Sequence, residues 1–118
     1  MIYEMRLHPA PFDLIKAGKQ KIETRLFDEK RRDLQVGDQV IFLKRPDGKE
    51  RMTVEVTGLS LFKTFEELFR SINKTEFGYK PTDTLEYQIL CMRQYYTEED
   101  EQKYGVIGIH VKPLSVYM

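Results

Sequence analysis

Residues 18–25 read GKQKIETR and place four charged side chains on what the sequence predicts to be a strand. Gly18 is suited to end the preceding helix in a left-handed conformation, which costs glycine little, so the strand is expected to start at about Lys19. Because side chains alternate between the two faces of a strand, the charged residues share one face: Lys19, Lys21, Glu23 and Arg25. A solvated edge strand explains this pattern, since charges discourage edge-to-edge pairing. The lining of a ligand pocket explains it equally well.

The segments around this stretch carry strand and helix periodicities. Apolar and polar residues alternate over residues 2–7, which predicts a half-buried strand. Thr64 and Thr97 each precede acidic residues and are suited to cap the start of a helix. Further strands are predicted at residues 39–43, through 52–56 and at 105–111, and further helices at 11–17 and from 83 or 84 to 93. Most strands fall at the two ends of the chain, which indicates an α+β fold with a small, closed or nearly closed sheet.

Composition limits the class of protein. A chain of 118 residues with 41% hydrophobic content is expected to form one domain, residues 1–118, with a real core. Nineteen basic residues balance nineteen acidic ones, so binding of an anion has to be a local property. The single cysteine, Cys91, fits a reducing cytoplasm, and no apolar run approaches the length of a membrane span. We therefore expect a soluble, cytoplasmic protein with no membrane association.

The motif and its neighbours resemble the ASCH domain family, which belongs to the wider PUA-like group. The family signature is Gly, any residue, Lys, two of any kind, Glu, any residue and Arg. Gly18, Glu23 and Arg25 match it, and Gln20 stands at the place of the lysine. The later segments VGDQVIF and YGVIGI follow in the expected order. The resemblance implies a PUA-like β-barrel of about five to six strands with several short helices, and a cleft that binds RNA or a nucleotide derivative.

The resemblance also raises an enzymatic alternative. One bacterial branch of the family hydrolyses the acetyl group of acetylcytidine with a lysine and a threonine from this strand and a glutamate elsewhere. Here Gln20 and Glu23 occupy the lysine and threonine places, so that activity does not carry over directly. An amidohydrolase acting on an acylated or modified nucleoside remains an alternative, with Glu23 as general base and Lys21 or Arg25 stabilising an oxyanion. A protein-interaction domain is the third reading, and it predicts a fully solvated charged face without a cleft.

The binding hypothesis names one set of residues on the strand and another near the third helix. Lys19, Lys21, Glu23 and Arg25 are expected to line the cleft, with the planar guanidinium of Arg25 suited to a phosphate or carboxylate. Tyr95 and Tyr96 are expected at its rim, where aromatic faces stack on bases. Tyr87 and Cys91 are assigned to the core. The two histidines lack the spacing of metal ligands, and no cofactor-binding motif occurs, so neither a metal nor a cofactor is predicted.

Overall fold

The computed structural model describes residues 1–117, within which five strands, four α-helices and one 3-10 helix follow one another along the chain. The elements are β1 (Ile2–Leu7), α1 (Pro9–Lys16), β2 (Ile22–Leu26), β3 (Gln39–Lys44), β4 (Arg51–Phe62), α2 (Phe65–Ser71), the 3-10 helix (Lys74–Phe77), α3 (Leu85–Arg93), α4 (Glu98–Tyr104) and β5 (Val106–Tyr117). The predicted α+β class and the number of strands are confirmed. No helix of residues 1–117 combines the length and hydropathy needed to cross a bilayer.

The strands form one mixed sheet in the order β1-β3-β4-β5-β2. Only β1 and β3 run parallel among the paired strands of residues 1–117, and the other neighbours are antiparallel. The two edge strands, β1 and β2, lie near each other, and Arg25 Nη2 donates to the main-chain oxygen of Arg6 at 2.7 Å. Across residues 1–117 no ladder joins these edges, so the expected barrel is incomplete. A side chain spans the gap where a closed barrel has main-chain hydrogen bonds.

Two hydrophobic clusters pack against the sheet, and the second is confined to one end of the outer face. The first packs Phe12 and Ile15 of α1 against the inward face of the strands, where Val40, Phe42 and Val54 have no exposed surface. The second joins β2 and the start of β5 to α2, α3 and the 3-10 helix. Burial of apolar surface on both faces contributes about 25 cal/mol per Å² and fixes the register of each strand.

Several boundaries differ from the sequence-based expectations. β2 begins at Ile22, not at Lys19, because the main-chain N–H of Lys21 donates to the main-chain oxygen of Glu76 in the 3-10 helix at 2.9 Å. α1 begins at Pro9, where the missing N–H of proline is harmless in the first turn. β5 continues to Tyr117 because it pairs with the long strand β4 along most of its length. The predicted caps Thr64 and Thr97 accept hydrogen bonds from the third residue after each of them.

Candidate ligand-binding cleft

A cleft of about 570 Å³ opens between the edge strands β1 and β2. Its volume lies within the range of about 300–1,000 Å³ that is usual for small-molecule sites. It is lined by Arg6, Leu7, His8, Ala10, Pro11, Leu14, Gln20, Glu23, Thr24, Arg25, Arg45, Phe77, Gly78, Tyr79, Lys80, Asp83, Tyr87, Cys91, Met92, Tyr95 and Tyr96. The cleft therefore lies where the sheet fails to close, with α1 on one side and α3 on the other.

Glu23 and Arg25 form an ion pair on the β2 side of the cleft. Arg25 Nε donates to Glu23 Oε2 at 2.8 Å, and the two side chains are 13% and 11% exposed. In the ladder with β5, Glu23 is opposite Ile109 and Arg25 is opposite Ile107. Because residues opposite each other share a face of the sheet, both side chains lie on the face of the first hydrophobic cluster. None of the described residues donates a hydrogen bond to the other carboxylate oxygen, Glu23 Oε1. This face of β2 is mostly buried, contrary to the fully solvated face that the protein-interaction reading predicts.

Gln20, at the place of the family lysine, is a buried residue of the cleft wall. Its Nε2 donates to the main-chain oxygen of Ile22 at 2.9 Å, and the residue is 7% exposed. Gly78 faces it with a φ of +86°, and a Cβ there would lie 2.9 Å from Gln20 Oε1. Gln20 therefore packs closely against Gly78 while its amide binds the start of β2, and it leaves no cation at this position.

The opposite wall is built by one side of α3 and the turn that follows it. Tyr87 and Cys91 are one helical turn apart and both line the cleft, as does Tyr95 beyond the helix end. Tyr87 is 48% exposed and Tyr95 is 54% exposed. The assignment of Tyr87 to the core is wrong, because the core face of α3 carries Leu85, Ile89 and Met92. Cys91 is half-buried and also faces the cleft, not the core alone.

Tyr96 forms part of the wall and packs against the second hydrophobic cluster. Its ring lies 5.7 Å from that of Phe65, centroid to centroid. Burial raises the pKa of the Tyr96 phenol, while the positive charge of Arg25 opposes that rise. Tyr95 instead stands at the rim, where its ring centroid is 5.2 Å from that of His8. Both tyrosines therefore border the cleft, but Tyr95 exposes the larger aromatic surface.

Hydroxyl groups on the α3 side stay protonated at neutral pH. Burial raises the pKa of Tyr79, and the neighbouring Cys91 raises it further. The neighbouring Cys91 thiol is also the main cause that raises the pKa of Tyr87. The two rings meet edge to face, with their centroids 6.2 Å apart. This wall thus presents neutral aromatic surface and hydroxyl groups to the cleft.

Positive charge predominates among the ionisable groups of the cleft. Arginine and lysine contribute four cations to the lining, namely Arg6, Arg25, Arg45 and Lys80, whereas Glu23 and Asp83 contribute two carboxylates. Glu23 is paired with Arg25, and Asp83 Oδ2 accepts from the main-chain N–H of Lys80 at 2.7 Å. Arg6, Arg45 and Lys80 are exposed, and their side chains make no ion pair within residues 1–117. A chain of zero net charge thereby concentrates positive charge at one place.

The remaining sequence-predicted residues lie elsewhere. Lys19 and Lys21 are exposed, precede β2 and do not line the cleft. Their expected place on the same strand face as Glu23 is wrong, because β2 has not yet begun at these positions. No group of three His, Cys, Asp or Glu side chains in the described part of the chain is arranged to hold a metal ion.

Sequence reasoning missed the cations of the cleft, above all Arg6 and Arg45. Arg6 ends the outward face of β1, and Arg45 follows β3, its parallel neighbour. The ends of adjacent parallel strands meet at one edge of a sheet, and this is the signal that could have joined the two residues. The spacing of four between Tyr87, Cys91 and Tyr95 is a second overlooked signal, since it predicts one common helix side.

Comparisons with known proteins identify what this architecture is similar to. The family model described as the ASCH domain matches residues 5–115. The crystal structure of the hypothetical protein PH0355 is 39% identical, with a TM-score of 0.85, and covers 97% of this chain and 100% of that one. The solution structure of protein PF0455 from Pyrococcus furiosus is 36% identical, with a TM-score of 0.76, and covers 98% of this chain and 99% of that one.

A more distant structure shares the fold alone. The ASCH domain from Lactobacillus crispatus is 16% identical to this chain, with a TM-score of 0.60. The match covers 95% of this chain and 79% of that one. No curated protein sequence matches the chain.

Proposed function

Because this chain belongs to the ASCH domain family, we propose that its cleft binds a nucleoside or nucleotide, either free or exposed in single-stranded RNA. The observation that carries the proposal is one cleft in which exposed tyrosines meet unpaired cations. We further propose that residues 1–118 act as one domain, and that the protein works in the reducing cytoplasm predicted from its single cysteine.

The α3 side of the cleft supplies the surface that a base requires. Single-stranded bases are held by stacking on aromatic side chains, which contributes about 1–3 kcal/mol per base. Tyr87 and Tyr95 expose about half of their surfaces at this wall. Their neutral rings suit any base, because every base has a π-face.

The cations of Arg6 and Arg45 suit the phosphate that accompanies a base. Both guanidinium groups border the same end of the cleft, and neither is neutralised by a carboxylate within residues 1–117. Zero net charge over the whole chain argues against a long duplex as the ligand and favours one or a few nucleotides. The proposed ligand is therefore about the size of the cleft.

The amidohydrolase alternative keeps two of its expected residues in the cleft. Glu23 Oε1 is free of protein donors in residues 1–117, and Arg25 lies beside it. Lys21, the other residue proposed for catalysis, is outside the lining. Turnover of an acylated nucleoside is therefore tested together with binding.

The test is titration of the protein with the four nucleoside 5′-monophosphates, acetylcytidine and a short single-stranded RNA at two salt concentrations. Tyr95→Ala is expected to weaken binding by about 5–150-fold, the value of one stacked base. Tyr117→Ala is the matched control, because Tyr117 is 43% exposed but lies on β5 away from the cleft. Mass spectrometry of the acetylcytidine sample detects cytidine, and such a product would favour the hydrolase.

A pair of charge-matched variants tests the location of the phosphate site. Arg6→Gln with Arg45→Gln and Lys19→Gln with Lys21→Gln each remove two positive charges. The cleft proposal predicts that only the arginine variant loses RNA affinity and flattens the slope of log K against log salt by about 1.4. Loss in the lysine variant alone would instead place the ligand beside Lys19 and Lys21, which precede β2. Absence of binding to every ligand would overturn the proposed function.

A further inference from the structure

The outer edge of β2 carries main-chain groups that no other strand uses. β2 pairs with β5 along one side, and within residues 1–117 it has no strand on the other. Two hydrogen bonds show that the odd-numbered residues direct their main-chain groups toward β5. Val111 N–H donates to the main-chain oxygen of Lys21, and Phe27 N–H donates to that of Gly105. Hydrogen-bonded and non-hydrogen-bonded pairs alternate along an antiparallel ladder. The even-numbered residues of β2 therefore direct their N–H and C=O groups away from β5.

Of the even-numbered residues of β2, Thr24 lines the cleft, whereas Ile22 and Leu26 do not. The main-chain oxygen of Ile22 already accepts from Gln20 Nε2. Beyond Thr24, the Arg25 guanidinium spans the gap to Arg6. Thr24 lines the cleft, and among residues 1–117 no group donates to or accepts from its main chain on that side. One donor and one acceptor thus face the cleft side by side.

A single donor and acceptor pair fits a nucleobase better than an extended peptide. Strand addition needs several consecutive free groups along an edge, and Gln20 and Arg25 close this edge on both sides of Thr24. The Watson–Crick edge of every base carries a donor next to an acceptor, and proteins read extruded bases at that edge. Glu23 Oε1, on the adjacent residue, offers a second acceptor.

We propose that the main-chain N–H and C=O groups of Thr24 pair with the Watson–Crick edge of a base held between β2 and α3. This inference rests on the proposed function and deepens it. It specifies the ligand as a base that is unpaired and unmodified at that edge. Methyl groups on the opposite edge of the ring are compatible with binding. A base already paired in a duplex is excluded.

The first test compares nucleotides and uses the unaltered protein. Uridine 5′-monophosphate is titrated beside its derivatives methylated at N3 and at C5, both of which keep the base neutral. Methylation at N3 is expected to weaken binding by about tenfold or more, the value of a lost hydrogen bond with a polar group left unpaired. Methylation at C5 is expected to leave the affinity within about threefold, since that atom is away from the paired edge.

The second test removes the main-chain donor. Thr24→Pro deletes an N–H that lies outside the β2–β5 ladder, and proline is tolerated on such an edge. Thr24→Val is the comparison variant, because it keeps the main-chain N–H and replaces the hydroxyl group by a methyl group of nearly the same size. We expect about tenfold weaker nucleotide binding for the proline variant alone. In ¹⁵N spectra of the unaltered protein, the Thr24 amide resonance is expected to move to low field as the nucleotide saturates the site.

The outcomes separate this inference from the proposed function. Absence of nucleotide binding by the unaltered protein overturns both. Equal binding of the N3-methylated and parent nucleotides, or an unmoved Thr24 resonance at saturation, overturns the inference and leaves the proposed function standing. Saturable binding of the peptide acetyl-Thr-Val-Thr-Val-amide at this resonance, without nucleotide binding, would instead identify β2 as a site of strand addition.

Discussion

Replacement of Arg25 by methionine tests whether an ion pair holds the edges of the open sheet together. Arg25 donates to Glu23 at 2.8 Å and to the main chain of Arg6 at 2.7 Å. Methionine fills similar space but makes neither bond. The substitution leaves the Glu23 carboxylate, whose side chain is 11% exposed, without its partner. Loss of one partner of a buried pair costs about 3–5 kcal/mol.

That cost is large compared with the stability of a domain of this size. Folded domains are stable by about 5–15 kcal/mol, so we expect the melting temperature of Arg25→Met to fall by about 10–20 °C. Urea unfolding followed by circular dichroism gives the change in free energy directly. Tyrosine fluorescence offers a second probe, since the chain contains seven tyrosines and no tryptophan.

A double-mutant cycle separates the ion pair from the packing of the side chain. In Arg25→Met combined with Glu23→Gln, neither charge remains, so most of the lost stability is expected to return. The coupling between the two positions should be about 2–3 kcal/mol. A cost below about 1 kcal/mol for Arg25→Met, or strictly additive effects in the double variant, would refute the claim that the pair is buried and coupled.

Three further predictions concern Glu101, Gly78 and His110. Glu101→Ala should cost about 3 kcal/mol, because its buried carboxylate accepts from Phe65 N–H and from an arginine of α3, both at 2.6 Å. Glu98→Ala, whose side chain is 75% exposed, should cost almost nothing in the same urea titration. Gly78→Ala should lower stability by about 1–3 kcal/mol, more than Gly18→Ala, since both have positive φ but only Gly78 meets atoms within 4 Å. Burial lowers the pKa of His110, so the unfolded chain takes up a proton first as the pH falls below about 6.5. The contribution of neutral His110 to stability should therefore be complete above that pH and decline below it. The melting temperature of the unaltered protein should then fall more steeply below pH 6.5 than that of His110→Gln, and an equal fall in both would contradict this account.

The local elements follow closely from the sequence. β1 alternates as predicted, with Met5 and Leu7 buried and Glu4 and Arg6 exposed. Thr64 and Thr97 cap their helices as expected. Each hydroxyl oxygen accepts from the main-chain N–H three residues later, so the contact lies within one helical turn. Alternation along the strand predicts Glu23 and Arg25 on one face of β2, where the ladder with β5 places them. Each of these features depends on residues that are close together along the chain.

The site depends on contacts between residues that are far apart along the chain. Tyr87 was expected in the core, but the packing of α3 against α2 uses a different side of the helix and turns Tyr87 to the cleft. Glu101 is one of four acidic residues in the first turn of α4, yet it alone is buried against α2. Nothing local marks Glu101 out from its acidic neighbours.

The sequence by itself determined the α+β class, the strands and caps, and the family, because periodicity and capping act between near neighbours. Tertiary structure alone decided that the sheet stays open between β1 and β2, and which groups line the gap. The reason is physical: whether an edge is paired depends on which distant strand lies beside it. Lys21 lies outside the cleft because Glu76 binds its main chain before β2 begins. Thr24 faces the cleft because β5 occupies the other side of its strand.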